Sequence, residues 1–163
     1  MGGIMSMQIN GDRSMNSNKP VTVAIDHDDY HAEHVGRTQE GLQFFLTTPF
    51  EAPLSNTQGC EYIALFKFDL AGNLVDSIID TLGPRGSYDE DARKNKYLTR
   101  LKELGDVDYQ RIEVKPFSIN HNGVEVGLIA REPENEGDIW AVELLPGNYM
   151  AFFEPWDSGE YDT

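Results

Sequence analysis

Short strand-like runs separated by turn residues recur along this 163-residue chain and restrict the folds that it can adopt. A first β-branched run covers 21–25, and two paired runs follow in 34–50 and 61–82. Gln39-Glu40-Gly41 divides the first pair and Gly72-Asn73 divides the second. Glycine supplies the positive φ that a tight hairpin connection needs. The pattern therefore predicts successive antiparallel hairpins rather than alternating βαβ units.

Two more hairpins are predicted in the second half of the chain. The runs 109–119 and 123–131 flank a loop that ends in an Asn-Gly pair, which is a strong hairpin signal. Pro146-Gly147 separates the runs 139–145 and 148–154 in the same way. We expect each of these four runs to be a strand, because each is rich in β-branched, aromatic or other apolar residues.

One segment, about 88–104, has the features of a helix. Ser87 and Glu90 have the spacing of a capping box, and Gly105 is a natural stop. The sequence thus predicts an α+β fold: an antiparallel sheet built from successive β-hairpins, with one main helix packed on one face. The apolar residues expected to face the sheet are Tyr97, Leu98, Leu101 and Leu104.

Length and composition set the domain organisation. Residues 1–19 are rich in Gly, Ser, Asn and Met and show no apolar period, so we expect a flexible tail. The remainder, 20–163, is about the size of one domain and is predicted to form a single globular unit.

The charge of the chain excludes several classes of partner. Thirteen basic residues against 28 acidic ones give a formal charge of −15, which repels nucleic acid and anionic lipid. Such a charge favours a basic protein partner or serves simply as a solvated surface that keeps the protein in solution. No apolar run approaches the roughly 20 residues of a membrane span. The single Cys60 cannot form an intramolecular disulfide, and no signal peptide is recognisable, so we expect a cytoplasmic location.

Three of the four histidines lie in the acidic segment 26–36. If this segment were helical, His27, His31 and His34 would share one face and could bind zinc. If it is extended, His31 and His34 lie about 10 Å apart and point to opposite faces. We favour the extended form, because the apolar residues here recur every five positions and form no helical stripe. A metal-dependent hydrolase that uses these three histidines stays as the alternative function.

Motifs of common enzymes are absent from the sequence. We find no nucleophile elbow, no Walker loop and no dinucleotide fingerprint, so we expect a non-catalytic protein without a cofactor. The C-terminus instead combines aromatic and acidic residues, as a protein contact surface or a lid over the sheet would. The candidate binding residues are Trp156, Asp157, Tyr161 and His34.

Three segments carry a resemblance to known proteins. "HVGRTQEGLQFF", "ALFKFDLAGNLVD" and "AFFEPWDSGEYDT" are similar to parts of small uncharacterised bacterial proteins, some of which are labelled formate hydrogenlyase regulatory protein. The similarity covers about half of the chain and supplies no catalytic residues. It implies a regulatory role. Because the chain has no helix-turn-helix pattern and is strongly acidic, we expect regulation through contact with a protein, in one version as an immunity protein that neutralises a basic partner.

Overall fold

The computed structural model describes residues 19–29, 32–56, 58–147 and 150–156, and the backbone of 159–161. Residues 1–18, which form most of the predicted tail, lie outside this range. Within the described residues the helix is α1 (Glu90–Glu103). The strands are β1 (Val23–Ile25), β2 (His34–Thr38), β3 (Gln43–Thr47), β4 (Phe50–Glu51), β5 (Cys60–Phe68), β6 (Leu74–Gly83), β7 (Val107–Tyr109), β8 (Ile112–Val114), β9 (Phe117–His121), β10 (Val124–Arg131), β11 (Ala141–Leu145), β12 (Met150–Phe152) and β13 (Gly159–Tyr161).

The strands form three antiparallel groups. In the six-stranded sheet, β5 pairs with β3 and β4 on one side and with β6 on the other, while β2 joins β3 to the edge strand β7. The five-stranded sheet runs from β9 to β13 in chain order, and β1 pairs with β8. The predicted hairpins are confirmed, with Gly41 at φ 86° and Gly72 at φ 94° in their turns.

Most of the core lies between the two larger sheets. Phe66 of the six-stranded sheet is fully buried, and its ring contacts Phe117 of the five-stranded sheet at 4.8 Å between centroids. Phe45 lies beside Phe66 at 6.3 Å and belongs to the same buried cluster, as do Val126 and Leu128 from β10. The predicted α+β class with antiparallel hairpins is therefore confirmed, and the structure adds that the strands divide between facing sheets.

Helix α1 covers the opposite face of the six-stranded sheet, as predicted. Tyr97, Leu101 and Leu104 lie at positions i, i+4 and i+7 and pack against buried residues of β3 and β5. Leu98 was expected to face the sheet as well, but it is 48% exposed. It lies one position beyond Tyr97, about 100° further around the helix, so it falls outside the narrow stripe that contacts the sheet.

The start of α1 differs from the prediction. Asp89 is the N-cap, and its carboxylate accepts the Asp91 amide at 3.0 Å. The Ser87 hydroxyl instead donates to the Pro84 carbonyl oxygen at 2.6 Å, so no capping box forms. Aspartate directly before the first helical residue is as good a cap as serine, which explains why the helix begins at Glu90.

The prediction that 109–119 forms a single strand is wrong, because the segment contributes to three groups of strands. Its first residue, Tyr109, is the last residue of β7 in the six-stranded sheet, β8 pairs with β1, and β9 begins the five-stranded sheet. Buried Gln43 fixes the middle piece: its amide oxygen accepts from the Glu113 amide at 2.8 Å, and its amide nitrogen donates to the Glu113 carbonyl at 2.9 Å. The buried Gln43 side chain thus supplies β8 with hydrogen bonds of the kind that a neighbouring strand would otherwise make.

Candidate functional site

A cleft opens between α1 and the outer face of the six-stranded sheet. We call it the helix cleft; it encloses about 680 Å³, within the range of small-molecule sites. Its lining residues come from β2, β3, β4, β5, the loop before α1, and α1 itself. They are Glu33, His34, Leu46, Thr47, Thr48, Phe50, Glu61, Arg85, Arg93, Lys94, Tyr97 and Leu98.

His34, one of the predicted binding residues, lies in this cleft at the start of β2. Its Nδ1 is 2.5 Å from the Tyr97 hydroxyl oxygen, which makes a short hydrogen bond between sheet and helix. The two rings lie 5.3 Å apart, and the Tyr109 ring lies 5.7 Å away on β7. Burial lowers the pKa of His34, while the charge of Glu33 acts in the opposite direction, so the imidazole is neutral at neutral pH.

The lowered pKa predicts how His34 affects stability. The ordinary pKa is 6.5, so as pH falls below that value the unfolded chain binds a proton at His34 before the folded protein does. The contribution of His34 to stability is therefore complete above 6.5 and is lost as pH falls through the folded-state pKa. In urea melts at about pH 7.5 and about pH 5.5, His34→Gln should lose less stability than the wild type on acidification. Equal losses would contradict this assignment.

A carboxylate and a phenol organise the entrance of the helix cleft. Glu61 of β5 accepts a hydrogen bond from the Tyr88 hydroxyl at 2.6 Å and pairs with the Arg85 guanidinium. Burial acts to raise the pKa of Glu61, but these two hydrogen bonds outweigh it and the pKa is lowered. The Arg85 guanidinium also lies over the Phe50 ring, 5.6 Å from its centroid. Arg85 is thus held at the cleft by a charge and by an aromatic face.

Two further cations reach the same cleft from α1. Arg93 pairs with Glu90 at 2.9 Å, and Lys94 makes no ion pair with any described residue. Neither residue was among the candidate binding residues predicted from the sequence. The spacing in the sequence does indicate that both residues lie near the cleft. Residues 93 and 94 come four and three positions before Tyr97, so they share its side of the helix.

Trp156 lies at a second opening, which we call the Trp156 cleft. The side chain is half-buried against the main core, so the predicted docking of the C-terminal segment is confirmed for this residue. Its amide donates to the Phe153 carbonyl at 2.7 Å, and its carbonyl accepts from the Ala24 amide at 2.9 Å. The cleft encloses about 400 Å³ and is lined by Lys19, Val21, Thr22, Ala24, Arg111, Glu113, Glu154, Pro155 and Trp156.

The remaining candidate binding residues are only partly described. Asp157 lies outside the described residues. The backbone of Tyr161 pairs with Met150 in the five-stranded sheet, but its side chain also lies outside them. The helix cleft and the Trp156 cleft share no lining residue, so the structure places His34 and Trp156 at different sites.

The histidine segment is not helical where it is described, but only its end is extended. Before β2 the Asp28 amide donates to the Ala32 carbonyl at 3.1 Å, which closes a loop. None of the described residues between 26 and 33 is helical, and β2 begins at His34. His27 stacks on the Tyr109 ring at 5.4 Å, and His34 contacts the same ring, while His31 lies outside the described residues. The described residues contain no group of three or more His, Cys, Asp or Glu that could hold a metal ion. The metal-dependent hydrolase stays a prediction.

Comparison with known protein families, with curated proteins and with solved structures found no match. The resemblance to bacterial regulatory proteins therefore stays a prediction. The described part of the chain contains no helix with the length and apolarity of a membrane span.

Proposed function

We propose that this protein is a non-catalytic cytoplasmic binding or regulatory protein that acts through contact with another protein, and that the contact surface lies around Trp156. The backbone conformation of Trp156 carries this proposal. Its φ of 70° is in the left-handed region, which a bulky side chain rarely adopts.

A left-handed conformation of this kind costs about 1–3 kcal/mol and persists only where neighbouring contacts enforce it. Here the two backbone hydrogen bonds of Trp156 and the packing of its ring supply those contacts. The result is a tryptophan in a fixed orientation at the wall of an open cleft. Tryptophan is favoured as an anchor in protein interfaces, where fixed aromatic groups lose little entropy on binding.

The apolar surface near Trp156 and the charge of the whole chain together favour a basic, partly apolar partner. Val21, in the same cleft, is 71% exposed and offers an apolar contact beside the ring. Glu113 is also exposed, with 68% of its side chain accessible. Arg111 and Lys19 line the same cleft, and Arg111 pairs with Asp26 at 3.1 Å and with Glu113 at 3.9 Å. A partly apolar surface would complement Val21 and the Trp156 ring, and the net charge of −15 would steer a basic partner toward the protein.

A pair of matched substitutions tests the proposal. Val21→Lys places a cation in the Trp156 cleft, whereas Val75→Lys changes another exposed valine, on β6, which is 52% exposed. We expect the Val21 variant to weaken binding of a basic partner by about tenfold or more, because it adds like charge at the contact. Partners would be captured from cell lysate at low salt and their affinities measured with both variants. Failure to capture any protein, or equal affinity for both variants, would contradict the proposal.

A further inference from the structure

We propose that the helix cleft binds a small organic anion that carries a phosphate or carboxylate group on an apolar body. This site is separate from the Trp156 cleft and goes beyond the protein contact proposed above. The first observation is a contrast in charge. In a chain with a formal charge of −15, Arg85, Arg93 and Lys94 converge on one cavity of about 680 Å³.

The cations remain available to a ligand although two acidic residues, Glu33 and Glu61, line the same cleft. Among the described residues, Glu33 makes no ion pair with any of these cations. The Glu61 carboxylate accepts hydrogen bonds from Arg85 and Tyr88, and these bonds position Arg85 at the cleft. Glu90, the partner of Arg93, is 69% exposed, and such exposed ion pairs are weak. Arg93 can therefore exchange Glu90 for a ligand anion at little cost. Lys94 has no ion pair with the described residues to give up.

The cations of the helix cleft come from two different elements, the loop before α1 and α1 itself. Arg85 comes from the loop before α1 and is held over the Phe50 ring at 5.6 Å. Arg93 and Lys94 project from the first turns of α1. Guanidinium groups present paired donors that match phosphate and carboxylate oxygens, and lysine adds a point charge. An anion between the loop and the helix would thus be contacted from both directions.

Apolar and hydroxyl groups complete the cleft. Phe50 and Leu98 line the same cavity, and Leu98 is 48% exposed although it is a large apolar residue. A ligand with an apolar body would cover it. The Tyr97 hydroxyl, held by His34 at 2.5 Å, lies in the same lining and offers a fixed polar group to the ligand. The helix cleft thus offers a few apolar contacts beside its charged and hydroxyl groups, as a ligand with both an anionic group and an apolar body would require.

Phenyl phosphate tests the ligand class, with benzyl alcohol as a neutral probe of similar size. We would record amide chemical shifts of the full chain by NMR during titration with each compound. A ligand this small is expected to bind with millimolar affinity. Phenyl phosphate should shift the amides of Thr48, Arg93, Lys94 and Tyr97 in a saturable way, and benzyl alcohol should bind at least about tenfold more weakly. Equal binding of the two compounds, or no saturable shift with phenyl phosphate, would overturn the proposal.

Charge reversal at one lining residue locates the site. Lys94→Glu should weaken phenyl phosphate binding by about tenfold, whereas Lys102→Glu, an exposed change on the same helix outside the lining, should leave it nearly unchanged. The amide spectrum of each variant also reports whether the fold is intact. Unchanged affinity in a folded Lys94→Glu protein would overturn the assignment of the site. The Val21→Lys variant should bind phenyl phosphate normally, so failure of one proposal leaves the other testable.

Discussion

Phe66→Ala is expected to reduce the free energy of unfolding by about 3–5 kcal/mol. Phe66 is fully buried on β5, and its ring contacts Phe117 of the facing sheet at 4.8 Å and Phe45 of the adjacent strand at 6.3 Å. Removing the ring leaves a cavity between the two sheets, which the surrounding strands cannot fill without breaking their pairing. The loss is large compared with the total stability of a typical single domain.

Urea melts would measure this loss, with Leu70→Ala as the control. Leu70 is 60% exposed in the turn between β5 and β6, so its removal should change stability by less than about 0.5 kcal/mol. If both variants lose the same amount, Phe66 does not lie in a packed core between the sheets.

Breaking the ion pair between Asp80 and Arg100 is expected to cost about 2–4 kcal/mol. The Arg100 Nε donates to Asp80 Oδ2 at 2.7 Å and its Nη2 donates to Oδ1 at 2.8 Å, which gives a paired geometry between β6 and α1. The side chains are only 17% and 16% exposed. The hydrogen bonds from Arg100 lower the pKa of Asp80 in spite of its burial. Asp80→Asn would leave the largely buried Arg100 side chain with Glu103 as its remaining ion-pair partner among the described residues.

A double-mutant cycle measures the coupling in this pair. Asp80→Asn, Arg100→Met and the double variant would be compared by urea unfolding at neutral pH. Because each single change removes the partner of a largely buried charge at the contact between β6 and α1, the double variant should lose less than the sum of the two single losses. Additive losses would show that the two side chains do not interact in solution.

The hairpins were predictable because their information is local. Gly41 and Gly72 occupy turn positions that require positive φ, and the residues on either side pair as these turns dictate. The end of α1 was also predictable, since Gly105 adopts φ 74° directly after the helix.

Contacts between distant segments were not predictable in this way. Nothing in 109–119 shows that β8 pairs with β1, because strand composition does not specify a distant partner. The contact between His34 and Tyr97 joins residues 63 positions apart and depends on how α1 lies across the sheet. Leu98 has the composition of a core residue, but its exposure follows from the width of the helix stripe that meets the sheet. The convergence of Arg85, Arg93 and Lys94 at the helix cleft likewise depends on how α1 packs on the six-stranded sheet.

Photo-crosslinking in living cells tests the central claim most directly, namely that the protein acts through a protein contact at Trp156. A photoreactive phenylalanine analogue would replace Val21, in the Trp156 cleft, and in a separate variant Val75 on β6. Both positions are exposed, so neither change should disturb the core. We predict that irradiation links the position 21 variant to one protein in a discrete adduct and that the position 75 variant forms no such adduct. No adduct at position 21, or the same adducts at both positions, would contradict the proposed function.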